Sequence, residues 1–293
     1  MDGIQMQMDF NNPNEVTNKV YKAIERLKAF EPEGGYHLSF SGGKDSQCIY
    51  HLAKMAGVQF EAVYRVTGID PPELVRFIKE QYPDVRFDIP KDKNGKRITM
   101  WSLIKQKKMP PSRMMRYCCV YLKESAGNGK LNVTGVRWAE SPKRRANHGV
   151  VDVKTVSKKI HDMAKEIGAN SNAAGFLVLN DDNDDSRRMV EHCYRTKKSM
   201  VNPIVDWEDY DVWYFLNSVA KVPHCCLYDM GQKRIGCIGC PLSHHAKEEL
   251  ERYPKYRALY MKAFEQMLVE REKAGLESQW KDAEDVMKWF LCE

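Results

Sequence analysis

Ser41-Gly42-Gly43-Lys44-Asp45-Ser46 lies between an aromatic-rich apolar run at residues 36–40 and a run in which Ile49, Leu52, Ala53 and Ala56 recur at helical spacing. The first run, bounded by Gly34-Gly35, reads as a buried strand that delivers Ser39 and Phe40 to the loop, so the hexapeptide joins a strand to a helix and caps that helix. Two glycines allow a tight turn that presents bare N–H groups to an anion, and the helix N-terminus adds its partial positive charge. Lys44 supplies a mobile full charge. A carboxylate beside phosphate is unfavourable unless it caps the helix or holds a bridging metal, so Asp45 is expected to do both, with Mg2+ as the metal. The glycine spacing is not that of the G-x-x-x-x-G-K-S/T loop, and no such loop occurs elsewhere in the chain.

The 293 residues, 43% hydrophobic and 29% charged, suit one globular domain or one domain with an appendage. Met1-Asp2-Gly3-Ile4-Gln5 has neither a basic start nor an apolar segment, and no run approaches membrane-spanning length, so a cytoplasmic protein without membrane contact is expected. Nine cysteines in that setting should be thiols or metal ligands. They group as Cys118-Cys119, Cys225-Cys226 and Cys237-Ile238-Gly239-Cys240-Pro241, while Cys48 and Cys193 read as small buried hydrophobes. The C-x-x-C turn lets two thiolates reach one metal, with Gly236 and Gly239 relieving its crowding. Alone it fits a zinc knuckle, a redox dithiol or half of an iron–sulfur site. Adjacent cysteines are awkward around a single tetrahedral ion but workable across a cubane.

The hexapeptide resembles the PP-loop of ATP pyrophosphatases, which cleave ATP between the α and β phosphates and activate a substrate as its adenylate. From about residue 36 to about residue 241 the chain resembles the phosphoadenosine phosphosulfate (PAPS) reductase family and its PP-loop relatives. Carrying that resemblance are the loop, Arg116-Tyr117-Cys118-Cys119, Gly135-Val136-Arg137-Trp138-Ala139-Glu140-Ser141 with Arg144 and Arg145, Asn202-Pro203-Ile204-Val205-Asp206-Trp207, and Gly236 to Pro241. It implies an α/β fold of the HUP-like, adenine nucleotide alpha hydrolase-like type: a mostly parallel twisted sheet flanked by helices, here with a helical C-terminal extension carrying a Cys motif. It implies a nucleotide site at Ser39, Ser41, Gly42, Gly43, Lys44, Asp45, Ser46, Thr67, Gly135, Arg137, Ser141 and Arg144. Lys44, Asp45 and Arg137 would be catalytic, with Arg137 and Arg144 facing the anionic end of the nucleotide. In the iron–sulfur members a Cys-Cys pair and a later C-x-x-C hold a [4Fe-4S] cluster, which carries over to Cys118, Cys119, Cys237 and Cys240, with Cys225 or Cys226 a rival for one position.

Two departures bear on function. The reductases have a degenerate loop without this lysine, whereas Lys44 and Asp45 complete the ATP-cleaving version. The reductases also attack with a cysteine in a C-terminal Glu-Cys-Gly-Leu-His segment, whereas this chain ends Trp289-Phe290-Leu291-Cys292-Glu293. The expectation is therefore an enzyme that uses ATP with Mg2+ to adenylate an acceptor for sulfur transfer, as relatives do on tRNA bases or the DNA backbone. One alternative is a sulfonucleotide reductase that reduces adenosine 5′-phosphosulfate (APS) or PAPS, needing Cys292 and a thioredoxin-like reductant. The other is a non-catalytic nucleotide-binding subunit. Expected partners are an adenine nucleotide, a nucleic-acid acceptor, a cysteine desulfurase or thioredoxin-like reductant, and a second copy of the chain. A net charge of +6, with Lys105, Lys107, Lys108, Arg113 and Arg116 in one stretch, suits either a polynucleotide backbone or the balancing of thiolates and phosphates.

Around these motifs, residues 60–66, 85–89 and 131–136 read as further strands, with Thr67-Gly68 at a strand end. Asp70 is expected to cap a helix running through Gln81, with Pro71 at its first position and Glu73 closing a capping box. Residues 151–189 look like an insertion, helical to about 167 and ending in the acidic run 181–185, which reads as a solvated loop rather than a calcium site. Asp206 is expected to cap another helix, and 247–252 and 256–273 to be helical, with His244-His245 a surface pair. The predicted division is an N-terminal helical segment at 1–34, a nucleotide-binding α/β domain at 35–215, and a Cys-motif and helical extension at 216–293.

Overall fold

The computed structural model describes residues 13–124, 126–127, 129–154, 170–172, 176–180 and 199–292. Among the described residues the architecture is α/β: five strands make parallel pairs, three more pair antiparallel, and helices accompany them. Two compact units divide the described residues. One holds the chain through Phe40 together with Lys44–Ala62 and Gly127–Pro223; the other holds Ser41–Gly43, Val63–Ala126 and the chain from His224 onward.

In chain order the elements run α1 (Pro13–Ala29), β1 (Tyr36–Ser39), α2 (Lys44–Ala56), β2 (Phe60–Arg65), α3 (Pro72–Gln81), β3 (Arg86–Asp88), α4 (Met100–Lys107) and α5 (Tyr117–Cys119). Then come β4 (Leu131–Val133), α6 (Pro142–Asn147), β5 (Val151–Lys154), β6 (Asn170–Ser171), β7 (Phe176–Leu179), β8 (Ser199–Val201), α7 (Asp209–Tyr214), α8 (Ala246–Arg252), α9 (Pro254–Lys273) and α10 (Ala283–Leu291).

In the first unit, β1 pairs in parallel with β4 (Leu38 opposite Val133) and β4 with β8 (Val133 opposite Val201). Their carboxyl ends therefore share one edge, where a ligand site is expected in such a sheet. Antiparallel β5, β7 and β6 continue from β8. Residues 151–154 are thus strand where a helix was expected: Val151 and Val153 on one face and Asp152 on the other are all fully buried, and the β-branched valines favour an extended chain. The rest of that expected helix, the acidic run 181–185 and Cys193 lie outside the described residues. Val16, Val20, Ala23 and Leu27 form the buried stripe of α1, beside which buried Arg26 donates to both oxygens of Asp206 at 2.8 and 2.9 Å and to the Pro203 carbonyl at 2.8 Å. Asp206 is consequently an ion-pair partner rather than a helix cap. The next helix, α7, starts at Asp209 behind Glu208, whose N–H donates to Asp211 at 2.7 Å.

In the second unit, the end of β2 pairs with β3 in parallel, Val63 opposite Arg86. Its core is an aromatic and aliphatic cluster in which Met100, Leu103 and Ile104 of α4 meet Tyr260, Phe264 and Met267 of α9 and Val286 and Phe290 of α10. Reciprocal Thr99 and Ser102 bonds start α4, and Asp282 accepts from the Asp285 N–H to start α10. Asp70 does not cap α3: the N-cap is Pro71 with no side-chain bond, and the Asp70 carboxylate instead accepts from the Tyr64 hydroxyl at 2.6 Å and the Thr67 hydroxyl at 2.8 Å. Among the described residues no helix is long and apolar enough to cross a membrane.

Candidate functional site

The first unit gathers four charged side chains at the N-terminus of α2. Lys44, buried, lies with Nζ 3.2 Å from Asp209 Oδ1 and 6.0 Å over the Trp213 ring. Arg137, only 2% exposed, donates from Nε to Asp45 Oδ1 at 2.7 Å, from Nη2 to Asp209 Oδ1 at 2.6 Å and from Nη1 to the Trp207 carbonyl at 3.3 Å. Gly135 follows β4, and a Cβ there would stand 3.0 Å from the Asp45 backbone and Cβ, so a side chain at this position would crowd the start of α2. Burial pushes the Asp45 carboxyl above the usual carboxylate range, against the pull of Arg137 and Lys44. Burial acts the same way on Asp209, but there Arg137 and Lys44 win and its carboxyl sits below the usual range.

Arg137 and Arg144, expected to face phosphate, both have carboxylate partners: Arg144 Nη1 reaches Glu140 Oε2 at 2.8 Å. Ser141 caps α6, accepting from the Arg144 N–H at 3.2 Å. Ser39 is exposed at the end of β1, and Ser46 is buried in α2. Asp45 and Asp209 are the oxygen donors here that suit Mg2+. Asp209 was missed from sequence: it lies two residues beyond the Asn202–Trp207 motif, and the cations it meets are far away in the chain.

Ser41–Gly43 belong to the second unit. Gly42 has φ +75°, and a Cβ on it would lie 2.7 Å from Ile78 and 2.9 Å from Leu74, so α3 presses on the loop backbone. A Cβ on Gly43 would meet the Tyr228 hydroxyl at 3.3 Å, and the Gly43 N–H donates to Ser41 Oγ at 3.4 Å. Thr67 is buried, its hydroxyl accepting from the Ile69 N–H at 3.1 Å while donating to Asp70. Its role visible here is to close the turn after β2.

The same unit brings Cys118, Cys119, Cys237 and Cys240 into one neighbourhood: Cys118 acts electrostatically on Tyr260 together with Cys237 and Cys240, and Cys119 on Cys118. The Cys237 turn is fixed by the Ile238 N–H to the Ile69 carbonyl at 2.8 Å, the Tyr260 hydroxyl to the Ile238 carbonyl at 3.2 Å, and the Gly239 N–H to Glu249 at 2.9 Å. Cys118 bonds to Cys119, which keeps the proton on Cys118 and holds the Cys119 thiol below its usual range, helped by Arg116 at 3.6 Å. Burial pushes Cys237 up to about 12, opposed by the Lys123 ammonium and reinforced by Asp70, to which its Sγ lies at 3.5 Å. Cys225 is buried beside Cys226 and Glu73. Among the described residues no three Cys, His, Asp or Glu side chains are arranged to share a metal ion. The donor chemistry, four thiols with cations beside them, nonetheless fits a thiolate-held cluster, while Cys118 and Cys119 bond to each other and Cys237 bonds to Asp70 rather than all meeting at one centre. Cys292, exposed, ends α10 with φ 60°. His245, also exposed, bonds Glu248 at 2.6 Å, as a surface pair would.

Residues 35–243 match the phosphoadenosine phosphosulfate reductase domain. Two uncharacterized proteins of Methanocaldococcus jannaschii are each 24% identical, one over 264 residues (85% of this chain, 53% of the relative) and one over 216 residues (70% and 35%). The chain thus spans about half the length, or less, of these curated relatives. Among solved structures it is similar to the phosphoadenylyl-sulfate reductase of Candida auris in a phosphate complex, at 14% identity over 77% of this chain and 95% of that one, with a TM-score of 0.41. It is also similar to the FMN adenylyltransferase of Candida glabrata, at 15% identity over 81% and 71%, with a TM-score of 0.41. Because the domain match takes in the loop, the arginine segment and the Cys-x-x-Cys turn, the chain belongs to the phosphoadenosine phosphosulfate reductase family.

Proposed function

We propose that the protein is a PP-loop enzyme that binds ATP with Mg2+, adenylates an acceptor and so prepares it for sulfur transfer. The observation that carries this reading is the Lys44, Asp45, Arg137 and Asp209 set: two cations and two carboxylates at a helix N-terminus, which is what a metal-bound triphosphate requires. Family membership supports an adenine nucleotide as the ligand. In this reading the loop amides and Lys44 hold the phosphates and Asp45 and Asp209 take the Mg2+. Arg137 fixes both carboxylates and adds positive charge where the α phosphate becomes more anionic. The acceptor bonds to the α phosphorus as the bridging bond to the β phosphate breaks, and pyrophosphate leaves. Cys118, Cys119, Cys237 and Cys240 would hold a [4Fe-4S] cluster, which when bound supplies thiolate-ligated iron for sulfur or electron chemistry. The basic stretch that includes Lys105, Lys107 and Arg113 favours a nucleic-acid acceptor.

The test is AMP and pyrophosphate formation from ATP with Mg2+, beside binding titrations with ATP, APS and PAPS. Lys44→Ala should abolish pyrophosphate release and leave metal content intact; retained turnover would remove the loop from the mechanism. A second reading, sulfonucleotide reduction, is favoured by the exposure of Cys292 at the end of α10. It predicts tighter binding of a sulfonucleotide than of ATP, and sulfite formation that Cys292→Ala eliminates.

A further inference from the structure

Asp152, on β5 of the first unit, is a fully buried carboxylate with hydrogen bonds to both of its oxygens. Oδ1 accepts from the Gly149 N–H at 2.9 Å; Oδ2 accepts from Asn202 Nδ2 at 2.9 Å and from His148 Nδ1 at 2.7 Å. Asn202 is itself fixed, donating to the Gly149 carbonyl at 2.8 Å and accepting from the Thr134 hydroxyl. Gly149 and Asn202 already give each carboxylate oxygen a donor and close the turn. The histidine is an additional partner, with 26% of its side chain exposed.

We propose that His148, oriented by Asp152, is the general base that takes the proton from the acceptor during adenylyl transfer; this rests on the adenylating reading above. A carboxylate on Nδ1 places the ring proton there and leaves the lone pair on Nε2, the tautomer a base needs. The placement fits. Thr134 and Asn202 directly follow β4 and β8, at the sheet edge reached by the end of β1, and Gly135, next to Thr134, abuts Asp45. The Trp138 indole N–H holds the His148 carbonyl at 2.7 Å, one residue from Arg137. The acceptor this pair serves has an N–H or O–H nucleophile of the lactam, amide or hydroxyl class. Its nitrogen or oxygen forms the bond to the α phosphorus, the bridging electron pair departs with pyrophosphate, and the proton passes to Nε2 and then to solvent.

The experiment uses the full chain with ATP and Mg2+ and water as the nucleophile, measuring AMP and pyrophosphate. His148→Gln should slow both by about 100-fold or more, the ordinary worth of a general base, while binding α,β-methylene ATP as the unsubstituted protein does. Asp152→Asn, nearly isosteric, is read by nitrogen-15 NMR of the imidazole: the unsubstituted protein should carry its proton on Nδ1 and the variant on Nε2. An unchanged rate in His148→Gln, or an Nε2 proton in the unsubstituted protein, would overturn the assignment. Should the unsubstituted protein bind ATP yet release no pyrophosphate, the adenylating reading fails and the pair's role falls with it. That outcome is distinct from an active protein indifferent to His148.

Discussion

Arg137→Gln tests whether the charged set at α2 is held by this one guanidinium. The bond to Asp45, whose side chain is 27% exposed, is charge-assisted and its loss costs about 1.5–3 kcal/mol. Asp209 is 70% exposed, so its pair adds only about 0–1 kcal/mol after solvent screening. The buried Trp207 carbonyl loses a donor for about 1 kcal/mol more. The expected loss is therefore about 3–4 kcal/mol, or roughly 10 °C in melting temperature. It should also depend on pH. Burial already raises the folded-state pKa of Asp45, so that group stabilises the fold below its unfolded value of about 4 and loses the contribution as pH rises through the folded value. Without Arg137 the folded value rises further and the loss extends toward neutrality. Asp209, held low by Arg137 and Lys44, stabilises above its unfolded value and loses that contribution as pH falls. Removing Arg137 diminishes that contribution about equally at pH 5 and pH 8, both above the unfolded value, so Asp45 alone makes the deficit larger at pH 8 than at pH 5. Urea unfolding at the two pH values measures it; a deficit under about 1 kcal/mol, or one equal at both, would refute the placement of Arg137 as the clamp.

Cys237→Ala should strip iron and visible absorption from anaerobically purified protein, which in the unsubstituted form is expected to carry about four irons; zinc, or no metal, in the unsubstituted protein would remove the cluster. Gly42→Ala puts a methyl group 2.7 Å from Ile78 at φ +75° and should weaken ATP binding as well as stability, with about 1–2 kcal/mol from backbone strain alone. Gly275→Ala has similar strain at φ +65° but opens on free space, so it should lower stability and leave ATP binding unchanged. Equal binding losses in the two variants would mean that the contact with α3 is irrelevant to the loop.

What could be read from the sequence was local. The strand, loop and helix at residues 36–56 declare themselves through contiguous apolar spacing and two glycines. Aspartates were read less well, for one physical reason: the residue that caps a helix is also the residue that pairs with a distant cation or hydroxyl. Asp70 and Asp206 stand where caps belong, yet Tyr64 with Thr67 and Arg26, respectively, offer them stronger or better-buried partners. Asp209 was invisible because its significance comes from Arg137, 72 positions away.

Arg137 could be recognised as an anion-binding fork, but not which anion it would grip. A buried guanidinium and a buried ammonium together are unstable unless some anion neutralises them, and when phosphate is absent the protein must provide it. Asp45 and Asp209 do so here. The same carboxylates are the natural ligands for the Mg2+ that accompanies a triphosphate. Arrival of the metal-bound nucleotide would then exchange partners rather than create uncompensated charge: phosphate oxygens for Lys44, Mg2+ for the aspartates. On this view a loop with lysine but no neighbouring aspartate would bind an anion without its metal, and the Lys44-Asp45 pairing is what ties this site to ATP.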